Sequence, residues 1–228
     1  MKIALLGATG MVGQGVLREC LLDPEVERVV CIGRSAIGQH ASKLVDLVVP
    51  NLPDLSSVDR ELLHGIDACL FCLGVSAAGL SEEQYRHISY DLTLGVASAL
   101  LERNPNLTFQ YISGAGTDST ERGRTMWARV KGATENALLR LPLKGAYMLR
   151  PGLIQPLHGI VSKTRWYRLF YSVFGVFFPV FKVLFPKAMM TTEDLGRAML
   201  EIAKHGAPKP ILEASDIIAI ARKLSAQR

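Results

Sequence analysis

The opening stretch KIALLGATGMVGQG, residues 2–15, constrains this chain more than any other. Ile3 to Leu6 are four consecutive apolar residues, the pattern of a short strand covered on both faces. Gly7, Gly10 and Gly13 follow at three-residue spacing, and helical periodicity starts at Met11. Glycines at a strand-to-helix junction allow a tight turn. They also let backbone N–H groups and the positive end of the helix approach a pyrophosphate. The spacing is G-x-x-G-x-x-G rather than the commoner G-x-G-x-x-G, so the loop alone is a weak signal. Its place after an N-terminal strand, with β-α-β patterning beyond it, makes it specific. Gly7, Thr9, Gly10, Met11, Val12 and Gly13 are therefore expected to line a dinucleotide site. The alternative is a glycine turn that serves only helix packing.

The same alternation continues along the chain. Short apolar runs (KIALLG, RVVCIG, KLVDLVV, DACLFCLG, TFQYIS, GAYMLR, PILE) alternate with helical periodicity over 11–22, 57–63, 81–103, 122–141, 192–204 and 215–223. Ser81-x-x-Gln84 and Thr191-x-x-Asp194 have the form of N-terminal capping signals. Ile88, Leu92, Val96 and Ala99 mark one face of the third helix. Alternating strands and helices imply right-handed crossovers and an α/β, doubly wound parallel sheet, a Rossmann architecture with a small C-terminal helical lid. At 228 residues and 49% hydrophobic content, the chain suits one domain over 1–228, with no internal repeat or linker.

Four cysteines are too few and too scattered for a disulfide scaffold, and a reducing compartment follows. Cys69 and Cys72 lie three apart in an apolar strand, point to opposite faces, and cannot share a metal. No metal site is expected. The N-terminus runs straight from strand into glycine loop, without the layout of a signal peptide. These features imply a cytoplasmic location. Net charge is +5, but from Asn136 to Thr192 there is no acidic residue and eight basic ones. An anionic partner is expected there: cofactor phosphate, acidic substrate or anionic lipid; no nucleic acid is expected.

The second strand ends CIGRSA and offers Arg34 where a carboxylate would take the ribose hydroxyls. A guanidinium pairs with phosphate in bidentate fashion. NADP(H) is thus expected in preference to NAD(H); a solvated loop arginine is the alternative.

With GATGMVGQG, IGRS, LFCLGVS, YISGAG, RVKGATEN and LRPGLI in this order, the chain resembles the atypical short-chain dehydrogenases/reductases. More narrowly it resembles their NAD(P)-binding, epimerase-like branch, which includes the Tat-interacting-protein-like oxidoreductases and NmrA-like proteins. The likeness covers residues 1–155 well and the last third poorly. It implies that Leu73 and Gly74 line the adenine-ribose side and that Asn51 stands where an aspartate often reaches the adenine. It also implies that the backbone at Arg150, Pro151 and Gly152 passes the nicotinamide, and that Ser113 stands at the catalytic serine or threonine position.

The family's proton donor is a tyrosine four residues before a lysine, whose charge lowers the phenol's pKa from about 10. Here Lys131 is in register, but the tyrosine position holds Trp127, and an indole only donates. None of the six tyrosines has a lysine four residues on. Lys131 is expected either to bind the nicotinamide ribose or to pair with Glu135 on a helix surface. Trp127 is either a flat wall beside the nicotinamide or a core residue. Tyr85, Tyr90, His87, Ser113, Thr117 and Asp118 are the other candidate donors.

Finally, WYRLFYSVFGVFFPVFKVLFP holds six of the eight phenylalanines, with Pro179 interrupting it. The segment 156–190 is read as an aromatic lid, a homodimer interface or a peripheral membrane contact through 162–187. The implied function is an NAD(P)(H)-dependent oxidoreductase acting on an apolar or anionic small molecule. Its rival is a cofactor-binding redox sensor or membrane-associated assembly protein without turnover.

Overall fold

The computed structural model describes residues 1–56, 58–160 and 189–225, and the fold is that of those residues. The aromatic segment at 162–187, and with it the lid, dimer and membrane readings, lies outside them.

Seven parallel strands form the central sheet: β1 (Lys2–Leu6), β2 (Arg28–Gly33), β3 (Leu44–Val48), β4 (Ala68–Phe71), β5 (Thr108–Ile112), β6 (Gly145–Arg150) and β9 (Ile211–Glu213). Their order is β3-β2-β1-β4-β5-β6-β9. Two short strands, β7 (Leu153–Gln155) and β8 (Met189–Thr191), pair separately in parallel. The order reverses between β1 and β4, and ligands of open α/β sheets bind beyond the strand ends at such a point. Leu6 is level with Ile32 of β2 and Phe71 of β4, so the loops after these strands emerge along one edge.

Apolar residues run unbroken in the strands because both faces are covered. Ile3, Leu5, Val29, Cys31 and Leu70 face one core. That core is completed by α1 (Met11–Leu22), α6 (Thr192–His205) and α7 (Ala214–Ser225). Ala4, Leu6, Val30, Ile32, Cys69 and Phe71 face the other, beneath α4 (Leu92–Arg103) and α5 (Met126–Leu139). Cys69 and Cys72 accordingly serve opposite cores. In the second core the Phe71 ring lies 5.8 Å from Phe109 and 5.9 Å from Tyr111, tilted pairs worth about 0.5–1.5 kcal/mol each.

Both expected capping boxes form, at Ser81 before α3 (Glu82–Arg86) and at Thr191 before α6. Other boundaries depart from the sequence pattern. The helix expected from 57 is a single turn, α2 (Arg60–Leu63), capped by the Asp59 carboxylate. α5 begins at Met126 rather than Arg122, because the Asp118 carboxylate accepts from Thr120 and Gly123 and winds 118–123 into turns. Between α3 and α4 the helix widens into a π-turn at His87–Asp91. That insertion rotates the buried stripe onto Tyr85, Ser89, Thr93, Val96 and Leu100. Of the face expected at Ile88, Leu92, Val96 and Ala99, Val96 is buried and the others are half-buried. The polar members are satisfied internally, since the Ser89 carbonyl accepts the hydroxyls of Thr93 at 2.7 Å and Thr134 at 3.4 Å.

Candidate functional site

The glycine loop is held by packing as well as by turn geometry. Gly7 has φ +80°, and a Cβ on it would meet the Cys72 carbonyl carbon and the Leu73 nitrogen at 2.6 Å. A Cβ on Gly13 would lie 2.6 Å from the Gly7 carbonyl carbon and 2.9 Å from Ala8 Cα. Gly10 is different. It starts α1 with no side-chain cap, its N–H donates to the Gly7 carbonyl at 2.9 Å, and a Cβ there would approach only that oxygen, at 3.3 Å. Thr9, Gly10, Met11 and Val12 are half-buried around this uncapped end. The first-turn amides of a helix have no intrahelical partner, and the dipole favours negative charge there. These residues fit a dinucleotide pyrophosphate.

Arg34 is exposed directly after β2 and has no ion pair or hydrogen bond among the described residues. Asn51 is exposed on the loop after β3, Leu73 is half-buried and Gly74 exposed after β4. Pro151 follows β6, and its carbonyl accepts from Ala115 N–H at 2.9 Å, tying the loops after β5 and β6 together; Gly152 is half-buried. The parallel sheet thus brings all the expected cofactor positions to one edge.

Ser113, at the end of β5, is buried, and its hydroxyl donates to the Leu149 carbonyl at 3.1 Å. Lys131 reaches across from α5 and donates to the carbonyls of Ser113 and, at 3.4 Å, Ile112; its Nζ lies 5.8 Å from the Tyr111 ring centre. Burial pushes the ammonium down to about 8, against the opposing pull of the Glu135 charge. The surface pair with Glu135 does not form. Glu135 is fully buried and is held instead by Arg150, whose Nε donates to it at 3.0 Å. Trp127, one turn before Lys131, is half-buried and belongs to neither core. Its ring edge lies 3.6 Å from where a Cβ on Gly116 would sit, against the loop after β5.

The other candidate donors differ in their surroundings. Tyr85 is a core residue whose phenol burial pushes above the ordinary value, and Tyr111, which was not among the candidates, is another. His87 is exposed and faces Asp91 at 3.5 Å. The Arg86 guanidinium stacks on Tyr90 at 3.9 Å. The Thr117 hydroxyl donates to the Gly114 carbonyl at 2.7 Å, and hydrogen bonds from Thr120 and Gly123 hold the Asp118 carboxyl below its usual range. Arg150 with Glu135 and Glu213 is the feature that sequence reasoning missed. Its signal was a glutamate four residues after Lys131 and an arginine before Pro151, distant in the chain.

A glycine-turned, uncapped helix at the switch point of a parallel sheet, with a lysine reaching the end of β5, gives this chain a Rossmann fold of the kind seen in solved short-chain dehydrogenases/reductases and epimerases. Residues 2–91 match the NAD-binding domain of semialdehyde dehydrogenase. A short-chain dehydrogenase/reductase from Saccharomyces cerevisiae superposes with a TM-score of 0.65 at 15% identity, over 97% of this chain and 98% of that one. The UDP-N-acetylglucosamine 4-epimerase of Bacillus cereus gives 0.63 at 20% identity, over 93% and 77%. In sequence, the chain is similar to the mitochondrial protein fmp52 of Emericella nidulans, 30% identical over 159 residues. It is also similar to the mitochondrial protein FMP52 of Saccharomyces cerevisiae, 30% identical over 154 residues. Each match covers 67% of this chain and just under two thirds of the fungal protein, 66% and 65% respectively. These relatives correct the cytoplasmic placement expected from cysteine usage and the N-terminal pattern, because both are named mitochondrial. Buried, reduced cysteines are a property of the core and do not distinguish one reducing compartment from another.

Proposed function

We propose that this protein is an NAD(P)(H)-dependent oxidoreductase that prefers NADP(H) and acts on an apolar or anionic small molecule. The observation that carries the cofactor reading is the uncapped start of α1 at the sheet's switch point, with Lys131 in line at the end of β5. Gly7, Thr9, Gly10, Met11, Val12 and Gly13 hold the pyrophosphate, and Leu73, Gly74 and Asn51 the adenosine end. Arg34, exposed and without a partner among the described residues, takes the 2′-phosphate. A bound reduced nicotinamide supplies hydride. Lys131 donates to the nicotinamide ribose, Pro151 and Gly152 present backbone beside the ring, and Trp127 screens that end from water. The Ser113 hydrogen is engaged with Leu149, so its oxygen serves as an acceptor while that bond stands.

One observation favours a second reading, cofactor binding without turnover. Trp127 cannot pass a proton, and Tyr85 and Tyr111 are buried in the core. Calorimetry with NADPH and NADH tests the cofactor assignment. NADPH is expected to bind more than about tenfold tighter, 1.4 kcal/mol, and Arg34→Ala to remove most of that gap. Equal wild-type affinities refute the preference, and no binding of either refutes both readings.

A further inference from the structure

Lys131 and Glu135 are four residues apart on α5, a spacing at which a lysine and a glutamate ordinarily pair across one turn. Here they do not. Glu135 has no exposed surface, and Arg150 at the end of β6 meets it with two nitrogens, Nε at 3.0 Å and Nη2 on the other carboxylate oxygen. The rest of the fork is used as well. Nη1 donates to Glu213 of β9 at 3.1 Å, and Nη2 donates to the Ser119 hydroxyl. An arginine fork matches a carboxylate bidentately, a geometry a lysine ammonium cannot reproduce, so Arg150 outcompetes Lys131 for this partner.

We propose that Arg150 is a positioning residue: by fixing the Glu135 carboxylate it keeps Lys131 unpaired and turned to the last carbonyls of β5, where the cofactor edge lies. This rests on the reading of Lys131 as a cofactor contact. An ammonium drawn one turn along α5 to Glu135 would be withdrawn from Ser113 and the strand end. The groups around Lys131 are few. From β5 come the Tyr111 ring and the carbonyls of Ile112 and Ser113; from its own helix, Glu135; from β6, Arg150 beyond Glu135. Burial raises the phenols of Tyr111 and of Tyr85 on α3 above their ordinary value and keeps them neutral. Glu135 is therefore the charge that moves Lys131, and Arg150 decides how much of it Lys131 feels.

The test uses the cofactor-free protein labelled with carbon-13 at the lysine ε position, the Lys131 signal being assigned by its loss in Lys131→Met. The wild-type titration midpoint is expected near 8. Arg150→Met should raise it by about one pH unit or more. Adding Glu135→Gln to Arg150→Met should return the midpoint to the wild-type value or below. If Arg150→Met does not fold, Arg150→Gln keeps a donor to Glu135 while removing the compensating charge, and the same rise is expected. An unshifted midpoint in a folded Arg150 variant overturns the proposal, as does a rise that Glu135→Gln fails to reverse. Calorimetry with NADPH then reads the cofactor contact separately. A loss of about tenfold in affinity, restored in the double variant, supports both steps. A shifted midpoint with unchanged NADPH affinity keeps the positioning and removes Lys131 from the cofactor site.

Discussion

Gly13→Ala separates what the glycine loop does for the fold from what it does for a ligand. A methyl at this position would lie 2.6 Å from the Gly7 carbonyl carbon and 2.9 Å from Ala8 Cα, where ordinary contact is 3.4–4 Å. Both neighbours are backbone, and Gly7 is itself so close to the exit of β4 that a Cβ on it would lie 2.6 Å from Leu73 N, which leaves the loop little room to retreat. Overpacking costs about 1–3 kcal/mol, and rigid backbone neighbours place this site near the upper end, about 3 kcal/mol. Alanine in place of glycine inside a helix returns about 1 kcal/mol. The packing term wins, leaving a net loss of about 2 kcal/mol. For a chain of this length that is a fall in Tm of about 4–8 °C, read by circular dichroism on cofactor-free protein. Gly10→Ala is the control. Its methyl approaches one oxygen at 3.3 Å, so its Tm should move little while NADPH affinity falls, because the new group faces the uncapped amides. A Gly13→Ala protein as stable as the wild type would refute the packing argument and leave ligand approach as the reason for that glycine.

Trp127→Tyr should create or raise NADPH-dependent carbonyl reduction, with absorbance at 340 nm as the readout; an inactive variant that still binds NADPH would mean the substrate pocket is lost. The buried Lys131 ammonium has its folded pKa lowered to about 8, below the unfolded value of 10.5. Between those values the unfolded chain holds the extra proton, so stability should rise with pH across that window, and Lys131→Met should abolish the rise. NADPH affinity should fall over the same window as the amine loses its charge. A Lys131→Met protein with the wild-type pH profile of Tm would remove the first expectation, and pH-independent binding the second. Burial pushes all four thiols up, that of Cys31 to about 12, so native protein should be inert to a thiol-disulfide reagent that labels all four cysteines after denaturation.

The residues that announced the nucleotide-binding edge did so through local geometry. The apolar run Ile3–Leu6, the glycines at 7, 10 and 13, and the helix Met11–Leu22 were legible because strand burial, turn formation and helix periodicity are set within a few residues. The capping boxes at Ser81 and Thr191 were legible for the same reason, since each side chain closes on an amide three residues away. Parallel packing then carried Arg34, Gly74, Ser113 and Pro151 to one edge, a consequence of strand alternation alone.

What escaped the sequence depends on partners distant in the chain. Helical spacing offered Glu135 to Lys131 as one of two alternatives, but placing β6 beside β5 brings Arg150 against α5, and a buried carboxylate goes to the donor that satisfies both its oxygens. Periodicity likewise predicted a buried face through Ile88, Leu92, Val96 and Ala99, of which Val96 is fully buried. The π-turn displaced the rest of it, and the buried Ser89 carbonyl there accepts hydroxyls from Thr93 and from Thr134 of the neighbouring α5. Tyr85, offered as a proton donor, could be seen to belong to the core only from its burial in the fold. Sequence by itself determined which residues carry the local chemistry of strand, turn and cap. Tertiary structure decided which charged and polar groups remain available at the site, because in a low-dielectric interior each must find a partner and the fold alone sets which partners are within reach.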